Sequence, residues 1–273
     1  MRTNALKELW SSGEAAVNGW LAIPSSFAAE VMATCGWDSI TIDMQHGVVD
    51  YQAAVTMLQG ISTTETVPMV RVPWNDPGII MKALDAGAYG VICPMVNSRD
   101  EAERLVQACR YPPQGFRSSG PIRATLYAGS DYQQYANETV IALAMIETKT
   151  ALERLDEILS TPGLDGVYIG PADLSFSLTG RFGFDHAEGT AQFDAIMTIL
   201  AAAKRHGIVA GIHTGSPAYA AKMIQAGFQL VSINSDAKLL ETAARTAVTS
   251  VREALRKERP SESAAAQAVV SPY

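Results

Sequence analysis

The sequence is poor in cysteine: Cys35, Cys93 and Cys109 form an odd set with no CxxC or Cys/His ligand spacing. That excludes a disulfide scaffold and a zinc cluster and predicts buried thiols in a reducing compartment. Long apolar runs are missing too. The longest, Val140 to Ile146, falls far short of the roughly 20 residues that span a bilayer. Positive charge is in deficit: 21 basic against 28 acidic side chains leave a formal charge of −7, with no Lys/Arg cluster. Nucleic acid and anionic membrane are therefore excluded as expected partners, and a small molecule is the expected ligand. The segment Met1 to Trp10 carries Arg2, Lys7 and Glu8 without an apolar centre, so it lacks the core of a secretory signal and a cytoplasmic location is expected. No GxGxxG or Walker loop is present, which weighs against dinucleotides and phosphorylated substrates.

What is present is core-forming material. Hydrophobic residues make up 48% and charged residues 18%, the balance of a folded globular chain. Within it one pattern recurs: a helix-like segment, a glycine, then a β-rich run. It appears around Gly36, Gly87, Gly163 and Gly227. Glycine just past a helix end adopts the left-handed conformation without a Cβ penalty, so each instance reads as a helix stop feeding a strand. Adding the remaining apolar runs gives eight strand candidates, about 19–23, 38–44, 67–72, 90–96, 140–147, 166–171, 207–213 and 230–234. Ser98 with Glu101 and Thr150 with Glu153 are spaced as capping boxes at helix starts. Eight strand and helix alternations predict a closed (β/α)8 barrel over residues 1–256, with an open doubly wound sheet as the alternative.

Two segments stand apart. Tyr111 to Ala136 is long and rich in Gly, Pro and Ser, as functional loops and interface elements are. Its Arg117 and Arg123 either bind a distal carboxylate or, as the favoured reading, face solvent or an interface. From residue 257 to 273 periodicity disappears, which predicts a flexible C-terminal tail.

In such a barrel the active site lies at the C-terminal ends of the strands, so polar residues at strand exits are the candidates. These are Asp43 and His46, Arg71, Glu147, Gly170-Pro171-Ala172-Asp173, His213 and Asn234. Glu147 and Asp173 end adjacent strands and are placed to share a Mg2+ or Mn2+ ion, although each alone reads equally as a helix cap. Arg71 either binds a carboxylate or a developing enolate, or pairs with a structural acid such as Asp43. His46 is the candidate proton shuttle, with Asp85 a candidate to orient it; a structural histidine is the alternative. His213 either lines the pocket and selects the substrate, or caps a helix or faces solvent. No strand candidate contains the desolvated lysine of a Schiff-base aldolase; Lys149 lies beyond Glu147, where a helix begins.

The segments Ile42-Asp43-Met44-Gln45-His46-Gly47, Val70-Arg71-Val72-Pro73-Trp74-Asn75-Asp76-Pro77, Pro94-Met95-Val96, Arg110-Tyr111-Pro112-Pro113-Gln114-Gly115, Ile146-Glu147-Thr148 and Ile169-Gly170-Pro171-Ala172-Asp173-Leu174 resemble the HpcH/HpaI aldolases, in order from about Trp20 to Arg252. The resemblance implies a TIM barrel of the phosphoenolpyruvate/pyruvate type and a class II aldolase. Its reaction would be reversible retro-aldol cleavage of a 4-hydroxy-2-oxo acid to an aldehyde and pyruvate, or a related acid such as hydroxypyruvate. It further implies that Glu147 and Asp173 hold a divalent ion (Mg2+, Mn2+ or Co2+) and that Arg71 stabilises the enolate oxygen. By the same resemblance His46 with Asp85 assists proton transfer, and the backbone at Ala172 and Asp173, following Gly170 and Pro171, cradles the carboxylate. A homohexamer that exchanges the last helix, near 236–256, is implied as well. The sequence departs from many relatives at Gln45, at Met145 and at His213. A C–C lyase or decarboxylase acting on an acyl-CoA or oxaloacetate is an alternative reading, as is a non-catalytic keto-acid-binding barrel.

Overall fold

A computed structural model describes residues 1–257. Its eight strands are β1 (Ala16–Leu21), β2 (Ser39–Asp43), β3 (Val67–Arg71), β4 (Gly90–Cys93), β5 (Ile141–Ile146), β6 (Gly166–Ile169), β7 (Val209–Thr214) and β8 (Leu230–Ile233). Each pairs in parallel with its sequence neighbour, and β1 with β8, closing the expected barrel. Helix α1 (Ala5–Ser11) precedes β1; α2 (Ser26–Ala33), α3 (Tyr51–Ile61), α4 (Pro77–Asp85) and α5 (Arg99–Cys109) follow β1 to β4 in turn. Then come α6 (Ile122–Ala128) and α7 (Tyr132–Thr139) before β5, and α8 (Lys149–Glu153) and α9 (Leu155–Leu159) after it. After β6 stand α10 (Pro171–Thr179) and α11 (Ala191–His206), after β7 α12 (Pro217–Ala226), and after β8 α13 (Asp236–Lys257). A second unit begins at Ala237, and its described part is helix α13. The expected tail, apart from Lys257 itself, lies outside the described residues. No helix among the described residues is long and apolar enough to cross a membrane.

The four glycines singled out by the recurring pattern are all left-handed, with φ of 86°, 104°, 80° and 111° at Gly36, Gly87, Gly163 and Gly227. Along the strands, side chains alternate between two apolar layers, as a period of two requires. In β5, Ile141, Leu143 and Met145 join the cluster inside the barrel, while Ala142, Ala144 and Ile146 join the one between strands and helices. Leu6 of α1 belongs to the inner cluster, and Asn4 donates to Tyr89 O and Thr139 O, just ahead of β4 and β5. The N-terminal helix thereby packs over the strand starts.

Several expectations are corrected at this level. Cys93 and Cys109 are buried, but Cys35 is exposed in the turn before Gly36. Ser98 caps α5, accepting from Glu101 N at 3.2 Å, whereas the cap after β5 is Thr148 rather than Thr150. The long segment is not a bare loop: it contains α6 and α7, and because α5 returns the chain to the strand starts, it lies on the N-terminal face of the barrel. Arg117 is accordingly not solvent-facing, and Arg123 is half-buried. Arg123 donates to Ala86 O at 2.5 Å and Leu58 O at 3.0 Å, which lie at the ends of α4 and α3. Leu58 O already accepts Ser62 N, whereas Ala86 O lies just past the end of α4, where the helix supplies no donor, so there the arginine meets an existing need.

Arg117 is 1% exposed; its Nη2 donates to Asp85 Oδ1 at 2.7 Å and its Nη1 to Tyr132 Oη at 2.9 Å. This corrects the expectation for Asp85. Helix α4 starts at the mouth after β3 and runs toward the start of β4, so Asp85, in its last turn, stands about 12 Å of helix away from the mouth. Within one chain it serves Arg117, not His46. The Asp85 side chain is 26% exposed and that of Arg117 0%, so the two halves of the pair are not equivalent. Removing Asp85 strands a buried guanidinium, whereas removing Arg117 leaves a carboxylate that water reaches. Asp85→Ala should therefore destabilise the fold by about 3–5 kcal/mol, and Arg117→Met by less, as measured by urea unfolding.

Candidate active site

The inward parity of each strand carries its polar exit residue into the mouth. In β2 Ser39, Thr41 and Asp43 share one face; in β3 Val67, Met69 and Arg71 do; and in β5 the series continues from Met145 to Glu147. Asp43 and Arg71 are register partners on adjacent strands. They form a forked pair, Nε to Oδ1 at 2.9 Å and Nη2 to Oδ2 at 2.6 Å. Trp20 Nε1 adds a third hydrogen bond to Asp43 Oδ2 at 3.2 Å, and the Arg71 guanidinium lies 4.8 Å from the centre of the Trp20 ring. Burial alone would push the Asp43 carboxyl up, but the hydrogen bonds and charge of Arg71 outweigh it and hold the carboxyl low. Arg71 thus meets the reading that pairs it with a structural acid, Asp43. Its Nε side is bound to Asp43, while Nη1 makes no hydrogen bond among the described residues and is open to the mouth.

Glu147 follows β5 and is 2% exposed. Its Oε1 accepts Met95 N at 2.7 Å, a bond aimed by the left-handed backbone of Met95 at φ 56°. Oε2 has no hydrogen-bond partner among the described residues. It abuts Gly170, where an added Cβ would lie 2.3 Å from it. Burial pushes Glu147 up to about 7; the Met95 amide opposes this, the charge of Asp173 adds to it, and Arg71 again opposes. Neither carboxylate caps a helix. Thr148 caps α8, and α10 begins at Gly170 with no side-chain cap, leaving exposed Asp173 in its first turn. The α10 ladder begins with Leu174 N donating to Gly170 O, so the Ala172 and Asp173 N–H groups stand outside it, facing the strand exit.

His46 is exposed on the segment after β2; its backbone N–H donates to Asp43 Oδ1 at 3.2 Å, and its ring has no hydrogen bond among the described residues. Beside it Gln45 Oε1 is buried without a partner. His213, in β7, neither caps a helix nor lies free in solvent. Its ring meets Trp20 edge-on at 5.0 Å and Phe184 at 6.2 Å, and Nδ1 is 3.4 Å from Tyr168 Oη. Burial, then the charge of Arg71, pushes it down to about 4, so it is neutral at physiological pH. Asn234, the exit of β8, is left-handed at φ 50° and donates to Gly215 O, which gives it a loop-bracing role. Sequence reasoning missed Trp20, Met95, Tyr168 and Phe184. For Trp20 a signal existed, an aromatic on the inward face near the exit of the first strand.

Could these residues hold the divalent ion that the sequence led us to expect? Glu147 lies within the field of Asp173 and of the Arg71 guanidinium, which is already committed to Asp43. Among the described residues no group of three or more His, Cys, Asp or Glu side chains converges. Two hard oxygen donors with the remaining positions open is the donor set suited to Mg2+ or Mn2+ that also takes substrate oxygens. The residues fit the ion.

Comparison with known proteins follows from this geometry. Residues 19–243 match the family model described as HpcH/HpaI aldolase/citrate lyase. A hydroxypyruvate/pyruvate aldolase of Rhizorhabdus wittichii is 43% identical over 249 residues, covering 91% of this chain and 99% of that one. A 4-hydroxy-2-oxo-heptane-1,7-dioate aldolase of Salmonella dublin is 37% identical over 245 residues, 88% of this chain and 92% of that one. Among solved structures, an HpcH/HpaI aldolase/citrate lyase family protein of Burkholderia cenocepacia superposes with a TM-score of 0.84 at 32% identity, over 92% of this chain and all of that one.

Two outcomes follow from the site. Gly170→Ala should force the Glu147 carboxylate to move, because its Oε2 occupies the space of the new Cβ; the variant should fold yet lose affinity for Mn2+ by tenfold or more, as read by calorimetric titration. His213 is held below its ordinary 6.5, so the folded state binds its proton less readily than the unfolded state. Stability relative to His213→Gln should therefore rise as pH increases from about 4 to 6.5 and be level above 7. A flat difference in urea midpoints over that window would contradict the assignment.

Proposed function

The chain belongs to the HpcH/HpaI aldolase/citrate lyase family, and from that premise we propose how its mouth performs aldol chemistry and on what. It is a carbon–carbon lyase of the aldolase type, a class II enzyme acting on 2-oxo acids. The substrate is a 4-hydroxy-2-oxo acid, cleaved reversibly to an aldehyde and pyruvate or hydroxypyruvate. The observation that carries the reading is the buried Glu147 carboxylate, with Oε2 unpartnered among the described residues and Asp173 adding to its negative field. Glu147 and Asp173 are the pair that would hold Mg2+, Mn2+ or Co2+, and the ion supplies Lewis acidity toward the keto and carboxylate oxygens of the bound acid.

The chain's own groups divide the remaining work. The Ala172 and Asp173 N–H groups, at the start of α10 behind Gly170 and Pro171, bind the substrate carboxylate. The free Nη1 edge of Arg71 faces the oxygen that gains charge as the C3–C4 bond breaks, and Asp43 fixes that edge in place. In the cleavage direction a proton leaves the 4-hydroxyl and one is later delivered to C3. His46, exposed at the rim with an unengaged ring, is the group that moves it. His213 and Trp20 border the side on which the aldehyde departs.

The oligomer belongs to the same proposal. Helix α13 carries exposed Leu240, Val248, Val251 and Leu255 at helical spacing, the stripe expected of a helix exchanged within a homohexamer. Asp85, at the far end of its own barrel, would reach a His46 only on another copy of the chain. A cytoplasmic location accords with three free cysteines.

Glu147→Ala and Asp173→Ala should each abolish the metal-stimulated cleavage of 4-hydroxy-2-oxo acids and weaken Mn2+ binding, while His46→Ala should slow turnover by about 10²-fold or more with Mn2+ affinity kept. Metal-stimulated activity at the wild-type level in either carboxylate variant would refute the ligand assignment.

A further inference from the structure

Beneath the mouth, Asn18, Ser39, Thr41, Tyr168 and Ser232 are all fully buried inside the barrel. A (β/α)8 core fills such layers chiefly with branched apolar side chains, so five polar residues there call for a physical reason. They form one connected chain. Asn18 Oδ1 accepts from Ser39 Oγ at 2.8 Å and Thr41 Oγ1 at 3.2 Å, which turns its Nδ2 toward Ser232 Oγ at 2.8 Å. The Ser232 and Tyr168 hydroxyls are 2.6 Å apart, and Tyr168 Oη is 3.4 Å from His213 Nδ1.

Counting protons gives this chain a direction. Ser232 Oγ already accepts the Asn18 amide, so the acceptor within reach of its own proton is the Tyr168 oxygen. The Tyr168 proton then passes to His213 Nδ1. In the opposite arrangement the Ser232 proton is buried with nothing to bind, which is the unfavourable outcome. Hydroxyl protons are placed by such network reasoning. With Nδ1 accepting, a neutral His213 carries its proton on Nε2. That nitrogen has no partner among the described residues, and it is not a buried orphan, so it is open on the mouth side of the ring. The Trp20 edge and the Phe184 ring flank it.

We propose that the buried Asn18–Ser232–Tyr168 chain fixes His213 as an Nε2–H donor aimed at the departing aldehyde, so that the enzyme selects aldehydes carrying a further oxygen, hydroxyaldehydes above all, over alkyl aldehydes of equal size. The inference rests on the aldolase reading and deepens it. His213 touches the substrate; Asn18, Ser232 and Tyr168 act through it as positioning residues. An apolar wall accepts an added hydroxyl with little preference, whereas a fixed donor at the wall rewards it.

The test is the ratio of kcat/KM for glycolaldehyde to that for propionaldehyde, two aldehydes of similar size, with pyruvate as the other substrate. A ratio does not depend on the fraction of active protein. Wild type should favour glycolaldehyde by about tenfold, the order of one neutral hydrogen bond, and His213→Leu should bring the ratio close to one. A wild-type ratio near one, or an unchanged ratio in His213→Leu, overturns the proposal. Nitrogen-15 spectra of histidine-labelled wild type give a second readout that needs no variant: at pH 7 His213 should carry its proton on Nε2, and Tyr168→Phe should release Nδ1–H forms. A proton on Nδ1 in the wild type overturns it as well. Magnesium-dependent exchange of the pyruvate methyl protons with deuterium oxide in wild type separates the two levels. No exchange sinks the aldolase reading; exchange with an indifferent aldehyde ratio sinks only the role of His213.

Discussion

A buried carboxylate with no cation of its own among the described residues governs the mouth of this barrel. Glu147 is almost wholly shielded from water, Asp173 adds a second negative charge, and the one guanidinium nearby, Arg71, is already bound to Asp43 through two hydrogen bonds. Such an arrangement is costly in an isolated chain. A divalent cation held by the pair would offset that cost. The same features that make the site expensive, burial and an unengaged Oε2, give it its capacity for chemistry. Asp43 has the opposite character: fully satisfied, it spends its charge on holding Arg71 still.

The two ends of the barrel divide stability from function. At the strand starts α1, α6 and α7 gather, Arg117 binds a carboxylate, and Arg123 binds carbonyls at the ends of two helices. At the strand exits polar groups are left without partners among the described residues: Glu147 Oε2, Arg71 Nη1, the His213 Nε2 atom and the first N–H groups of α10. Between these ends lies the buried polar layer of Asn18, Tyr168 and Ser232. Its hydrogen bonds link the rigid interior to one mouth residue, so packing deep in the core has a route to substrate choice.

Most of the architecture was legible in the sequence because it depends on local rules. Glycine at helix ends marked the junctions, and apolar runs marked all eight strands to within a few residues. The inward placement of the candidate site residues was legible for the same reason, since a period of two along β2, β3, β5 and β7 carries Asp43, Arg71, Glu147 and His213 inward. The misjudged features depend on barrel closure. Asp85 and Arg117 are 32 residues apart and meet only because α4 and the segment after α5 end on the same face. Asn18 and Ser232, 214 residues apart, meet only because β1 closes against β8. No local pattern announces such pairs. The exposed Cys35 likewise followed from the tightness of a single turn rather than from composition.

The most direct measurement is a crystal of the wild-type protein soaked with Mn2+ and pyruvate and examined at a wavelength where manganese scatters anomalously. The account predicts one anomalous peak at the mouth, coordinated by Glu147 Oε2 and a carboxylate oxygen of Asp173, with pyruvate completing the shell. A pyruvate-filled mouth without that peak, or a peak bound elsewhere while both carboxylates turn away, would contradict it.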